Sequence, residues 1–545
     1  MRTVLIVGSG IAGLSCAVRL AEQGDKAVLV SPYPSERAQS VMAAGGINAA
    51  LDTKGENDTV ECHIEDTLKG GCFIEDRKSV EKLCEAAPEI ISWLEKMGMV
   101  FSRDADGMVD LRAFGGQTHR RTAFSGACTG KQIVTALVKK ARQYECSGQI
   151  ERKLGCWFHS GLIKDGTCFG ALFYDEHGKR MEAVYADAIV IASGGQNQLF
   201  GKTTGSMLCD GYVTGKLFEQ GAVLRNLEFI QYHPTTIETA QKRMLITEGA
   251  RGEGGRLFYL EDGKRVYFME EKYGEKGNLM PRDIVAKCIY DAPSQVYLDV
   301  SFLGKELIQK RLSEVYDLCM QYAGIDITTE CIPVYPSVHF FMGGLAVNDN
   351  HCTNIKNLYA IGECASMYHG ANRLGGNSLL AAIYSGTVAA QTIGKDKSGI
   401  VSSPDFSEEI LCAQRDLEKR MQSKSRFSAV YIRQELAALM NRNLGITRTE
   451  KDLNEGIESV DYFLSISDKL KYDCEISPYQ GYSIKQMLLL AKAILMSAKE
   501  RRETRGAHIR EDYPERREEF ACPSYAKFVN GAIEIAFEKE NDHAC

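Results

Sequence analysis

The chain has 545 residues, of which 44% are hydrophobic and 25% charged, and its formal net charge is −7. At roughly 100–200 residues per domain that length points to about three domains. The acidic balance excludes a general nucleic-acid binder, which needs a basic excess to neutralise phosphates. No apolar run approaches the ~20 residues that a membrane-crossing helix requires.

The first element is a strand, Val4-Leu5-Ile6-Val7. Gly8-Ser9-Gly10-Ile11-Ala12-Gly13 forms a turn, Leu14 to Gln23 a helix, and Ala27 to Val30 a second strand. This is a βαβ opening. Because the turn starts at Gly8, no signal peptide is expected ahead of it, and the expected location is cytoplasmic. Ala188 to Gly195 reads as another strand running into glycines, and Leu358 to Glu363 as a third that ends in Gly362-Glu363. Strands with glycines at their carboxyl ends suit ligand binding at the edge of an α/β sheet. The nucleotide domain is therefore expected to be discontinuous, with residues 1–225 and 336–398 enclosing an insertion at 226–335.

From about Ser402 charge density rises and helical periodicity dominates, so residues 403–545 are expected to form a helical domain, with Ser398 to Pro404 as the linker. Tyr482 to Lys499 is the strongest helix, with Ser483 as its cap. Two readings stand for the basic stretch from Arg501 and Arg502 to Arg516: a solvated face, or a docking surface. The eighteen cysteines are scattered. None form a C-x-x-C pair, and the closest, Cys62 with Cys72 and Cys146 with Cys156, are ten residues apart. Metal and iron–sulfur sites gather ligands at shorter spacing. Reduced thiols and no metal site are expected, with any electron-carrying clusters on another chain.

Gly8, Gly10 and Gly13 fit the dinucleotide fingerprint. The first allows the tight turn, the second lets backbone approach a pyrophosphate, and the third lets the helix pack on the strand. The helix N-terminus then faces the phosphates. Ser31 stands where an acidic residue commonly meets the ribose, and the motif alone does not separate NAD from FAD.

Longer motifs carry a resemblance. They are Ala44-Gly45-Gly46-Ile47-Asn48; Phe114-Gly115-Gly116 with Arg121-Thr122; Gln231-Tyr232-His233-Pro234-Thr235; Thr247-Glu248-Gly249-Ala250-Arg251 through Gly255; Pro281-Arg282-Asp283; His339 through Gly344; Gly362-Glu363; His369 through Leu380; and Arg505-Gly506-Ala507-His508. In this order they resemble the flavoprotein subunits of succinate dehydrogenases and fumarate reductases. The resemblance implies an α/β, Rossmann-like FAD-binding domain, an inserted α+β capping domain and a C-terminal helical domain. It implies FAD contacts at Gly8, Gly10, Ile11, Ala12, Gly13, Ser31, Gly45, Gly46, Asp210, Glu363, Ser378 and Leu379.

It further implies that a dicarboxylate, succinate or fumarate, is bound by His233, Thr247, His339 and Arg373. Fumarate reduction needs a hydride at one alkene carbon, from the reduced flavin, and a proton at the other. By resemblance the proton comes from Arg282, resupplied through Glu248 and Arg251. The alternative reading of that trio is a structural ion-pair network. An iron–sulfur subunit is the implied electron partner, with attachment to a membrane only through partners.

One run departs from the family. Membrane-bound members usually attach FAD covalently to a histidine in a run like Arg-Ser-His-Ser; here it reads Arg37-Ala38-Gln39-Ser40, with Ala44 where glutamine is usual. Gln39 has no imidazole nitrogen, so non-covalent FAD and a tilt toward fumarate reduction are expected. Two competing readings are L-aspartate oxidase, from the same superfamily, and an inactive FAD-binding assembly subunit.

Overall fold

The computed structural model describes residues 2–126, 128–240, 242–396, 403–423, 425, 427–471 and 481–538. The expected linker, Ser398 to Pro404, falls mostly outside the described residues.

The opening strand, Thr3–Val7, is buried from Val4 onward and is paired in parallel on both sides, with Lys26–Ser31 and with Ala188–Ile191. Leu358–Ala360 and Ile150–Leu154 complete a five-stranded parallel sheet. A parallel sheet has both faces covered, which is why the runs VLIV, AVLV and AIVI are continuously apolar rather than alternating. One cover is the helix Ile11–Glu22, packed between the helices Thr129–Cys146 and Asn377–Lys395. Small residues permit that approach: a Cβ on Gly386 would stand 2.8 Å from Ala12 O.

The chain leaves this domain along Ile230–Glu238 and returns along Tyr335–Phe341, and the two strands pair antiparallel, Ile230 opposite Phe341. Register shifts occur at Gln231/Tyr232 and between His233 and Thr236. Pro234 lies in the second, where a residue without an N–H is tolerated. Between these strands a separate apolar core runs from Ile237 to Val334. It surrounds an antiparallel sheet of Lys264–Val266, Arg256–Glu261, Val296–Asp299 and Ile332–Pro333.

The C-terminal region packs the helices Ser407–Met421, Ala429–Asn443, Glu450–Ile466 and Ile484–Glu500. Ser483 does hold the N-cap position of the last, but its side chain makes no capping hydrogen bond, and its Oγ lies 3.7 Å from Met487 Sδ instead. The region is not helical to its end. Ser524–Val529 and Ala532–Phe537 form a hairpin that joins Leu224–Arg225 in a sheet with Gly344–Ala346 and Ala365–Ser366.

Neither reading of the basic stretch describes all of it, because three of its arginines are internal. Arg501 and Arg510 are fully buried and Arg505 nearly so. Arg501 pairs with Glu228 at 2.5 Å and Glu503 at 3.2 Å, Arg505 with Glu503 at 2.6 Å, and Arg510 with Asp512 at 2.8 Å. Buried guanidinium groups require such partners. Among the described residues no helix is long and apolar enough to cross a membrane.

Candidate active site

The carboxyl ends of three parallel strands meet at one cavity. Gly8 follows the first, Ser193 and Gly194 the second, and Gly362 and Glu363 the third, and all five line it. Two glycines of the turn are sterically required. Gly8 has φ +114°, and a Cβ there would stand 2.2 Å from Ala192 O; a Cβ on Gly13 would stand 2.1 Å from Gly8 O. Gly13 therefore sits beneath the turn, holding helix to strand, and does not line the cavity.

The other sequence-predicted cofactor residues divide. Gly10, Ile11, Ala12, Ser31, Gly45, Gly46, Glu363, Ser378 and Leu379 line the cavity with Gly8. Ser378 and Leu379 lie in the first turn of Asn377–Lys395, so a second helix N-terminus faces the same space. Asp210 is outside the lining: its Oδ1 accepts from the Tyr212 N–H at 2.9 Å and its Oδ2 lies 3.8 Å from Arg433. Its neighbours Leu208 and Cys209 take its place at the wall.

The same cavity continues to His233, Thr247, Glu248, Arg282, His339 and Arg373. The insertion supplies the first four and the returning strand supplies His339. The His233 and His339 rings lie edge to face, 5.1 Å between centroids. His339 Nδ1 is 2.8 Å from the Thr204 hydroxyl, and His233 Nδ1 is 3.1 Å from Thr235 O. Burial, then the charge of Arg282, holds both imidazoles well below the usual histidine range. They are neutral, and each can donate one ring N–H.

Arg282 is the hub of the charged side. Its Nε and Nη2 donate to Glu248 Oε2 at 2.9 and 2.7 Å. Glu248 Oε1 accepts from the Gly115 N–H at 3.0 Å and from Arg251 Nη2 at 3.2 Å. Burial raises the Glu248 carboxyl, but Arg282 and Arg251 outweigh it and hold the group below its ordinary value, ionised. Arg251 lies behind Glu248, off the cavity, in the short helix Gly249–Gly252, and donates to Asn278 O at 2.5 Å.

Sequence reasoning did not single out Gln231. Its Oε1 accepts from Arg282 Nη1 at 3.1 Å and from Arg373 Nη2 at 2.9 Å. Its Nε2 donates at 2.7 Å to both Asn372 Oδ1 and Arg373 O, and Asn372 Nδ2 donates to Asp283 Oδ1 at 2.8 Å. One carboxamide thus spaces the two guanidinium groups that face the cavity. The signal was available: residues i and i+2 of a strand share a face, and Gln231 and His233 are both fully buried while Tyr232 is not.

The lining fits a polar ligand at both ends. Gln39 Oε1, His369 Nδ1 and Arg373 Nε are buried without a hydrogen-bond partner among the described residues. The bare glycine backbone and two helix N-termini at one end suit a dinucleotide's phosphates. The paired guanidinium groups at the other suit carboxylates.

A glycine-turned parallel sheet whose cavity runs beneath an inserted second core defines a dinucleotide-binding protein with a second ligand site beside the nucleotide. The family profile described as FAD binding domain matches residues 3–379, and one described as fumarate reductase flavoprotein C-term matches residues 433–543. The chain is 37% identical to a succinate dehydrogenase flavoprotein subunit of Bacillus subtilis, over 99% of this chain and 96% of that one. It is 32% identical to the fumarate reductase flavoprotein subunit of Haemophilus influenzae, over 94% of this chain and 89% of that one. An Escherichia coli quinol fumarate reductase structure superposes with TM-score 0.88 at 28% identity, over 99% of this chain and 97% of that one. The chain belongs to the family of succinate dehydrogenase and fumarate reductase flavoprotein subunits, and its cofactor is FAD.

Proposed function

We propose that this flavoprotein interconverts succinate and fumarate, is poised toward fumarate reduction, and holds FAD without a covalent bond. The observation that carries the reading is the pair Arg282 and Arg373, fixed by one oxygen of Gln231 beside two neutral imidazoles. A four-carbon dicarboxylate offers two anionic ends. Arg373 grips one carboxylate with parallel bonds, and His233, His339 and Thr247 donate to the substrate's oxygens. Donors fixed before binding stabilise the negative charge that develops on that carboxylate as the alkene is reduced.

When bound, FAD supplies the hydride. Arg282 delivers the proton to the other alkene carbon. An arginine, a very weak acid, gives up a proton only to a stronger base; a carbanion is one. The electron pair left on Arg282 takes up a proton from Arg251, relayed through the Glu248 carboxylate that touches both.

Residues 1–225 and 336–398 would form the FAD-binding domain, 226–335 the cap and 403–545 the C-terminal domain. Electrons would pass to or from an iron–sulfur subunit on the cytoplasmic side of a membrane. Gln39 lines the cavity where family members attach their flavin, and a carboxamide forms no such bond. The test is fumarate-dependent oxidation of a reduced low-potential dye by the yellow protein, set beside succinate-dependent dye reduction. A faster fumarate reaction is expected. Turnover of neither acid, or peroxide formation from L-aspartate, would replace this reading.

A further inference from the structure

The strands Ile230–Glu238 and Arg243–Leu245 form a hairpin, Glu238 opposite Arg243. One arm carries His233 and the other leads into Thr247, and Leu245, near the hairpin's tip, lines the cavity with them. Lys242 lies at that tip, half-buried, and lines the cavity. Its Nζ reaches across to Met42 Sδ at 3.3 Å, on the segment that follows Gln39.

We propose that Lys242 is the entrance cation of this site: it draws dianionic dicarboxylates into the cavity and closes the mouth against Met42. The inference rests on the reading above, that the cavity takes dicarboxylates.

Charge gives the first reason. A chain of net charge −7 repels a dianion at long range, so capture requires a local positive field. The deeper cations are partly spoken for: Arg282 is paired with Glu248, and Arg373 shares Gln231 with it. The cations beside Lys242 are also paired, since Arg243 lies 3.0 Å and Lys202 3.8 Å from Glu238. Lys242 differs from both. No carboxylate among the described residues lies within ion-pair distance of it, and burial alone pulls its amine below the ordinary lysine value.

Contact gives the second reason. A thioether is a weak acceptor, so the bond to Met42 holds the amine in place without neutralising it. The contact joins the insertion to the nucleotide-binding half. An approaching carboxylate can displace Met42 from the amine, and the contact can re-form behind it. Cations at the mouth of a cleft act on capture and on salt dependence rather than on chemistry.

The test compares Lys242→Met, Lys242→Arg and the unaltered holoprotein. The probes are malonate binding, read by calorimetry and by perturbation of the flavin spectrum, and fumarate turnover, each at low and high ionic strength. Lys242→Met should weaken malonate binding and raise the KM for fumarate by about tenfold at low salt, keep kcat within about twofold, and lose most of the salt dependence. Lys242→Arg should restore both. Equal binding by Lys242→Met and the unaltered protein at low salt would overturn the proposal while leaving the succinate–fumarate reading intact. A fall in kcat or in flavin content without a change in malonate affinity would also overturn it, by placing Lys242 in the chemistry or the cofactor site. If the unaltered protein binds no malonate and turns over no fumarate, the underlying reading fails and takes this one with it.

Discussion

Glu248 Oε2 accepts from both Nε and Nη2 of Arg282, at 2.9 and 2.7 Å, with only 6% of the arginine side chain and 1% of the glutamate exposed. The pair is buried and charged, so neither partner can be removed without consequence. Glu248→Gln keeps the shape and one acceptor oxygen but removes the carboxylate that, on the proposed reading, relays a proton from Arg251 to Arg282. Fumarate turnover should fall by about 10²–10⁴, the usual weight of a positioned proton-transfer group, with FAD retained. Glu248→Leu should also destabilise the fold by roughly 3–5 kcal/mol, because it strands a buried guanidinium. Dye-linked assays beside thermal unfolding separate the two effects; full activity in Glu248→Gln would reduce the trio to a structural ion-pair network.

Gln231 makes a second prediction. Replacing it with leucine removes the oxygen shared by Arg282 and Arg373 and leaves Asn372 Oδ1 without its donor. The two guanidinium groups should then drift apart. Both a lower kcat, through Arg282, and a higher KM, through Arg373, are expected, with a stability loss of about 1–3 kcal/mol for the unmet hydrogen bonds. A change in only one kinetic constant would show that Gln231 serves one arginine and not both.

The parts of this structure that were legible in the sequence are those where local physics leaves few choices. The turn Gly8 to Gly13 was legible because a Cβ at either end meets backbone oxygen near 2 Å. The runs VLIV, AVLV and AIVI were legible because short, β-branched apolar runs bounded by turn residues suit strands buried on both faces. The final hairpin was missed although it carries a signal: Asn530 and Gly531 both have positive φ, 51° and 83°, as a tight hairpin turn demands. Helical texture upstream masked it. Arg501 was read as part of a basic stretch because its partner Glu228 is 273 residues away in sequence, and no local pattern encodes such a pairing. Lys242 was not legible for a similar reason: no local pattern shows that, among the described residues, no carboxylate lies within ion-pair distance of it.

Glu75 gives a prediction about stability. It is buried against Gly71 and Gly370, and burial pushes its carboxyl from 4.5 up to about 8, with backbone amides and the charge of Arg225 pulling weakly the other way. Between those two values the folded chain keeps a proton that the unfolded chain has lost. Stability must therefore fall as pH rises from 4.5 to about 8 and level off above that. Glu75→Gln removes the titration. The variant should match the unaltered protein near pH 5 and exceed it at pH 8.5, by roughly 1–4 kcal/mol. Glu363 and Asp283, raised by burial to about 7 and about 6, titrate in both proteins and cancel in the difference. Unfolding curves that stay parallel from pH 5 to 8.5 would remove this account of Glu75.

Gln39 gives a prediction about how the flavin is held. The residue lines the cavity, and its Oε1 is buried without a partner among the described residues. A carboxamide can donate or accept a hydrogen bond but cannot form the carbon–nitrogen linkage that a histidine forms. Acid precipitation of the yellow protein should therefore release all of its FAD into the supernatant and leave a colourless pellet. If the flavin is free of the linkage that the resemblance associates with a raised potential, succinate-dependent dye reduction should be the slower direction. Yellow peptide surviving acid and proteolysis would show a bond at some other residue. It would also remove the argument for a bias toward fumarate, since that argument depends on Gln39 leaving the flavin free.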